Sequence, residues 1–226
     1  MKTHLFTTLK RWLSYIVAVP IEKTASAYNS TLAVSMYRGR IFLSSSHAIY
    51  SCEDLYDAFY HPFTKLLMQN TPLNKVLVLG LGLGAVPYML EVHFAQNAHY
   101  TAVEIDPKVI ALAQKYLPQW LTNKINFIEA DAANFIAQVP NNYFDLIAVD
   151  IFNDTTTPTH FFTETFLNQL KPWLAASGYL FYNCLADTSE HITATDNFYN
   201  NVFKKVFPDA FVIPLADTNK CLVVQQ

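Results

Sequence analysis

Three of the five glycines in this chain fall in one five-residue window, Gly80-Leu-Gly82-Leu-Gly84. Glycine used so sparingly and clustered so tightly marks a place where backbone must approach something closely. The window follows the apolar run Val76–Leu79 and leads into a helical pattern, so its free N–H groups can meet an anionic or polar group. Three acids recur at the ends of later apolar runs: Glu104 after Val103, Asp131 before Ala132, and Asp150 after Val149. In an open α/β sheet these are the positions that face a ligand, and an acid at the second strand end accepts two ribose hydroxyls. Acids at the third and fourth strand ends suit an adenine amine and a reacting amine. The conjunction points to a nucleoside-bearing cofactor.

Each residue has a plainer reading. Asp131 can simply cap the helix that starts at Ala132. Asp106 caps the next helix, with Pro107 at its first position. Asp154 reads as a loop turn residue, and Tyr56 as a packed helix aromatic. Gly80-x-Gly82-x-x-Ala85 also matches the dinucleotide fingerprint, so NAD has to be weighed. The acids at the third and fourth strand ends and a closing hairpin argue against it.

The elements that position these residues follow from apolar periodicity. Residues 1–20 carry Leu5, Leu9, Trp12, Leu13 and Ile16 at helical spacing, which predicts an amphipathic helix packing on the body or on a partner. The stretch Trp12–Pro20 before Ala25-Ser26-Ala27 loosely imitates a secretion leader, but Ser14, Tyr15, Glu22 and Lys23 interrupt it, and that reading is set aside. Residues 21–52 alternate as a small antiparallel β-meander that turns at Tyr37-Arg38-Gly39-Arg40. Residues 53–226 form a second domain. It opens with a helix through Glu53–Met68 that ends before Pro72. Near-continuous apolar runs then follow at Val76–Leu79, Tyr100–Val103, Ile125–Ile128, Leu146–Val149 and Tyr179–Tyr182, as expected of parallel strands covered on both faces. Helical segments alternate with them. Phe211–Leu215 and Cys221–Val224 flank Asp217-Thr218-Asn219, which predicts a terminal antiparallel hairpin. The fold class is therefore α/β, a doubly wound Rossmann-like sheet of seven strands preceded by a small antiparallel β-domain.

Composition narrows the function classes. Of 226 residues, 52% are apolar and 15% charged, so there is ample surface to bury and disorder is not expected. A net charge of −3 argues against nucleic acid as a partner. No run of 18 apolar residues exists, and no membrane partner is expected. Cys52, Cys184 and Cys221 lie far apart, which fits a reducing, cytoplasmic setting rather than a disulfide framework. The seven histidines show no metal-binding spacing, and no metal is expected. Ser44-Ser45-Ser46-His47 reads as a surface loop rather than a catalytic triad. The 15% aromatic content suggests a subunit interface, hence a homodimer.

The succession Val76-Leu-Val-Leu-Gly80-Leu-Gly82-Leu-Gly84, Val103-Glu-Ile-Asp106, Asp131-Ala132 and Phe144-Asp-Leu-Ile-Ala-Val-Asp150 resembles the spermidine-synthase family within the class I S-adenosylmethionine-dependent methyltransferase fold. Tyr28-Asn-Ser-Thr-Leu32 through Tyr37-Arg-Gly-Arg40 resembles its N-terminal β-domain. The resemblance implies S-adenosylmethionine or its decarboxylated form as cofactor, with methylthioadenosine or S-adenosylhomocysteine as product. It places Gly80, Gly82 and Gly84 at the aminoacyl or aminopropyl part, Glu104 at the ribose, Asp131 at the adenine amine and Asp150 at the reacting amine.

There are departures. Leu83 stands where aminopropyltransferases carry a loop aspartate, Leu55–Tyr60 lacks their Tyr-His-Glu segment, and Asp150 and Asp154 are four apart rather than three. The chain is thus closer to a branch with a GLGxG loop.

Transfer from a sulfonium needs no protonation of the leaving group, so the protein positions reactants and manages the amine's proton. Asp150 is the candidate base, with Asp154, Tyr56 and Asp57 as walls of the amine site. Thr155-Thr156-Thr157-Pro158 is placed to form a flap. Three readings stay open at this point: aminopropyl transfer to a small amine, methyl transfer to a small acceptor, and a non-catalytic nucleoside-binding homologue.

Overall fold

In a computed structural model, residues 10–45, 49–51, 56–66, 68–140, 143–153, 155–215 and 219–226 are described. The change in apolar period along the sequence becomes a change in sheet type. Alternation before residue 52 gives four antiparallel strands, β1 (Val19–Thr24), β2 (Leu32–Tyr37), β3 (Arg40–Ser44) and β4 (Ile49–Ser51), in spatial order β1-β2-β3-β4. The β2–β3 turn carries Arg38 and Gly39 with φ of 49° and 75°. Both central residues are left-handed, which matches the twist of a two-residue hairpin.

The continuous apolar runs give a seven-stranded sheet ordered β10-β11-β9-β8-β5-β6-β7. Its parallel part comprises β5 (Lys75–Leu79), β6 (His99–Glu104), β7 (Ile125–Glu129), β8 (Phe144–Val149) and β9 (Leu174–Leu185). β10 (Phe211–Pro214) and β11 (Asn219–Gln225) close it antiparallel. Buried residues lie on both faces, as parallel strands require.

Helices α1 (Asp57–Lys65), α2 (Ala85–Val92), α3 (Pro107–Tyr116), α4 (Ala132–Ile136), α5 (Glu164–Leu170) and α6 (Ser189–Phe198) alternate with the strands. The helical pattern over Phe161–Trp173 resolves into 3₁₀, α and 3₁₀ pieces, and the one over Ser189–Val206 contains a π-helical turn at Tyr199–Phe203. Pro172 and the packing of Phe198, Phe203 and Phe207 rings on one another accompany these irregularities.

The four-stranded sheet docks through its own small core. Leu32, Val34 and Leu43 pack with Leu83, Val109 and Leu112, and Glu22 accepts hydrogen bonds from Lys115 and Tyr116 of α3, both at 2.6 Å.

Of the predicted N-terminal helix, Leu5 and Leu9 lie outside the described residues. Lys10–Leu13 form a helical turn, followed by further turns to Ile16. Cys52, His47 and the turn residues Asp217 and Thr218 also lie outside the described residues. Among the described residues no helix is long and apolar enough to cross a membrane.

Candidate active site

Leu79 of β5 pairs with Val103 of β6 on one side and with Val149 of β8 on the other. Gly80, Glu104 and Asp150 therefore stand at one level, Gly80 and Asp150 where the chain leaves the sheet and Glu104 as the last residue of β6. β5 is also where the strand order reverses, since β6 and β7 run outward on one flank and β8 and β9 on the other. Such a reversal opens a crevice at the carboxyl ends of the strands. A cavity of about 250 Å³ sits there, lined by Gly80, Gly82, Glu104, Asp131 and Asp150 together with Tyr28, Asn29, Phe152, Asn153, Pro158, His160 and Phe161.

Gly80 shows why the loop needs glycine. Its φ is +87°, and a Cβ there would lie 2.0 Å from the backbone oxygen of Asp150. The Gly80 N–H donates to Val103 O at 2.9 Å, and the Asp150 N–H donates to Leu79 O at 2.8 Å. What the backbone approaches so closely at Gly80 is thus the neighbouring strand end. Gly84 serves a different purpose. It caps α2 in the left-handed conformation, and a Cβ on it would meet Leu117 Cδ1 at 2.7 Å. It does not line the cavity. Leu83, between Gly82 and Gly84, is buried in the apolar cluster with Leu32, Val34 and Leu43. The position that carries an acid in aminopropyltransferases is here part of the joint between the two sheets.

Glu104 is gripped by main chain. Oε2 accepts from the Leu81 N–H and Oε1 from the Asp106 N–H, both at 3.0 Å. Burial pushes its carboxyl up from the usual range, backbone amides of Asp106, Leu81 and Gly82 pull it down, and the nearby Asp106 charge adds to the rise.

Asp106 is almost fully buried. It caps α3 by accepting from the Lys108 N–H at 2.9 Å, and it also accepts from Asn29 Nδ2 at 2.8 Å and from the Ser26 hydroxyl. These last two bonds tie the β1–β2 loop to the rim and make Tyr28 and Asn29 a wall of the cavity. Asp131 does cap α4, accepting from the Asn134 N–H at 3.0 Å, and it lines the cavity as well.

Asp150 is held by side chains. Its Oδ1 accepts from the Tyr56 hydroxyl at 3.0 Å and from Asn183 Nδ2 at 2.9 Å. Asn219 Nδ2 donates to Asn183 Oδ1 at 2.9 Å, which fixes the Asn183 amide with its NH₂ toward the acid. Among the described residues nothing donates to Oδ2, so that oxygen remains available. Burial pushes the Asp150 carboxyl up to about 7; the Asn183 and Tyr56 bonds oppose the rise and the Glu104 charge adds to it. Burial and the adjacent Asp150 charge push the Tyr56 phenol well above its ordinary value, so it stays a donor.

Tyr56, read from sequence as a wall residue or a packed aromatic, donates to Asp150 and packs its ring, tilted by 35°, near Phe59, but it does not line the cavity itself. Asp57 begins α1, is exposed, and does not reach the cavity lining. Asp154 lies outside the described residues. The loop after β8 places Pro158, His160 and Phe161 in the lining.

The cavity's charge is one-sided. Glu104, Asp106, Asp131 and Asp150 line it, and no lysine or arginine does so among the described residues. A pyrophosphate would meet acids with no cation to offset them, which disfavours a dinucleotide. A sulfonium and a protonated amine, both cationic, suit it. No group of residues able to hold a metal ion occurs among those described.

Comparison with known proteins bears on the same region. The model of the spermine/spermidine synthase domain matches residues 63–225. The chain belongs to that family. Among curated proteins it is 30% identical over 172 residues to a polyamine aminopropyltransferase of Vibrio vulnificus, covering 73% of this chain and 56% of that protein. It is also 33% identical over 141 residues to an N-terminal histidine N-methyltransferase of Emericella nidulans, covering 60% of this chain and 24% of that one.

Among solved structures, a probable spermidine synthase from Corynebacterium glutamicum superposes with a TM-score of 0.71 at 18% identity, covering 92% of this chain and 80% of the other. Human methyltransferase-like protein 13 in complex with SAH superposes with a TM-score of 0.58 at 26% identity, covering 71% and 74%. This chain spans a little over half the length of the Vibrio enzyme. The expected α/β fold with its closing hairpin is the fold of the family.

Sequence reading missed Asn183, Tyr28, Asn29 and His160. Asn183 had a signal: it is the polar residue in the buried strand run Leu180–Leu185, where an amide needs a partner.

Proposed function

We propose that this spermidine-synthase family member transfers an aminopropyl group from decarboxylated S-adenosylmethionine to a small amine. The observation that supports this most directly is the Asp150 carboxylate at an acid-lined cavity, with one oxygen spent on Tyr56 and Asn183 and the other without a donor among the described residues. When bound, the cofactor supplies a carbon made electrophilic by its sulfonium.

Glu104 holds the ribose and Asp131 the adenine amine, with Gly80 and Gly82 backbone beside the transferred group. Asp150 does the proton work. A primary amine has a pKa near that of lysine, about 10, and attacks only as the free base. A carboxylate raised to about 7 is a better proton acceptor than an ordinary aspartate and is still about half ionised at neutrality. The Tyr56 and Asn183 bonds fix which oxygen takes the proton. The thioether leaves neutral, so no acid is needed on the other side of the reaction.

Incubating the protein with decarboxylated S-adenosylmethionine and putrescine should release methylthioadenosine. No release with any diamine or polyamine overturns the proposal.

Methyl transfer is the second reading, and Leu83 favours it. With the loop position buried in an apolar cluster, the donor's terminal amine lacks the acid that aminopropyltransferases provide. Tighter calorimetric binding of S-adenosylmethionine than of its decarboxylated form would select this alternative.

A further inference from the structure

The segment Lys10–Val17 is anchored in an unusual way. Its buried residue is Ser14, whose backbone oxygen accepts from the Arg38 N–H at 2.7 Å and whose hydroxyl accepts from the Gly39 N–H at 2.9 Å. Two hydrogen bonds thus pin the segment to the β2–β3 turn by its polar side. The apolar side faces out: Trp12 is 73% exposed and Ile16 83%, with Leu13, Tyr15 and Val17 also exposed. An amphipathic segment normally buries these residues against the body. Here the body holds it with the opposite face presented.

Charge is distributed to match. Residues 1–52 hold six lysines and arginines against the single acid Glu22, whereas the remainder holds nine against seventeen acids. The Arg11 side chain lies with Tyr15 against Gly39, and in the adjoining turn the exposed Arg38 holds its guanidinium over the Tyr37 ring, 5.2 Å from its centre, followed by Arg40. Aromatic and branched apolar residues ringed by basic ones on a surface-lying segment suit an anionic lipid headgroup layer. Such a segment needs no spanning run, so its membrane contact goes unnoticed when only long apolar stretches are sought.

A second copy of the chain fits less well. A two-fold contact through this patch sets the same basic residues against each other, and the few side chains involved fall short of the roughly 20–30 residues a side of a stable interface.

We propose that the outward face of residues 12–17, with Arg11 and Arg38, docks the protein on the surface of an anionic bilayer. The contact is peripheral and independent of the reaction assigned to the cavity.

The test is co-sedimentation of the full chain with phosphatidylcholine vesicles containing roughly a third phosphatidylglycerol. Pelleting is expected with these vesicles, weakening as salt is raised. Trp12→Ser and Ile16→Ser should each lower partitioning about tenfold, and Arg38→Glu severalfold. All three sites are exposed, so circular dichroism and methylthioadenosine release should remain at wild-type levels. Absence of pelleting, or pelleting indifferent to Trp12 and Ile16, overturns the proposal. So does a dimer in sedimentation equilibrium that these same two substitutions dissolve.

Discussion

Glu104 and Asp150 end the two runs that flank β5 in the same sheet, yet they are held by different kinds of atoms. Glu104 takes two backbone amides, from Leu81 in the glycine loop and from Asp106. Asp150 takes a phenol and a carboxamide, both on one oxygen. Burial raises both acids. Main-chain partners move only with the fold, so Glu104 belongs to the architecture of the loop, and the role proposed for it is recognition. Side-chain partners can be tuned one substitution at a time, and among the described residues they leave the second Asp150 oxygen without a donor, at a shifted pKa. In the proposed reaction one rim holds the cofactor and the other exchanges a proton.

The strongest way to break this contrast is Asp150→Asn. The amide can still accept from Tyr56 and Asn183 but cannot take a proton. Turnover should fall by about 10²–10⁴-fold, while calorimetric affinity for methylthioadenosine stays near wild type. A parallel loss of binding would mean that the two rims are not separate.

The same variant sharpens the comparison through stability. The folded carboxyl is raised from 3.8 to about 7, so the native state holds a proton that the unfolded chain releases across that interval. The stabilising contribution is present below the lower value and is lost as pH rises through the upper. The loss is at most about 4 kcal/mol. Thermal melts of Asp150→Asn should therefore match wild type near pH 4 and exceed it at pH 8. An Asn variant less stable than wild type at pH 8 contradicts the assigned cause, burial of the charge.

A smaller effect isolates one partner. Tyr56→Phe removes a hydrogen bond that lowers the Asp150 pKa. The rising limb of kcat/KM against pH should move to higher pH, and activity near neutrality should drop about tenfold, as expected for one bond to a charged acceptor. An unmoved limb would assign Tyr56 to packing alone.

How much of this could be read from the sequence depends on how far each residue acts from its own position. The strand ends Gly80, Glu104 and Asp150 were legible because each closes an apolar run, and a parallel sheet brings such ends to one level. The glycine window was legible as a cluster but not as three different parts. Gly80's clash with the Asp150 backbone and Gly84's contact with Leu117 depend on register and on the later packing of Leu117.

Asn183 carried a signal in its buried run but its partners did not: it meets Asp150 through the β8–β9 register, Val149 against Tyr182, and Asn219 reaches it through the pairing of β11 with β9. The wall formed by Tyr28 and Asn29 depends on Asp106, whose capping role was foreseen but whose grip on Ser26 and Asn29 was not. The N-terminal apolar spacing was read as a helix that packs on the body or on a partner. What turned its face outward was Ser14, a residue with no apolar signal at all.

The recognition half of the contrast is open to one direct measurement: calorimetric titration of the protein with methylthioadenosine and with its 2′-deoxy counterpart. If Glu104 receives the ribose, the deoxy compound should bind more weakly by about 1.5–3 kcal/mol, the worth of a hydrogen bond to a charged group, and Glu104→Gln should shrink that gap. Equal affinities for the two nucleosides in the wild-type protein would contradict the account.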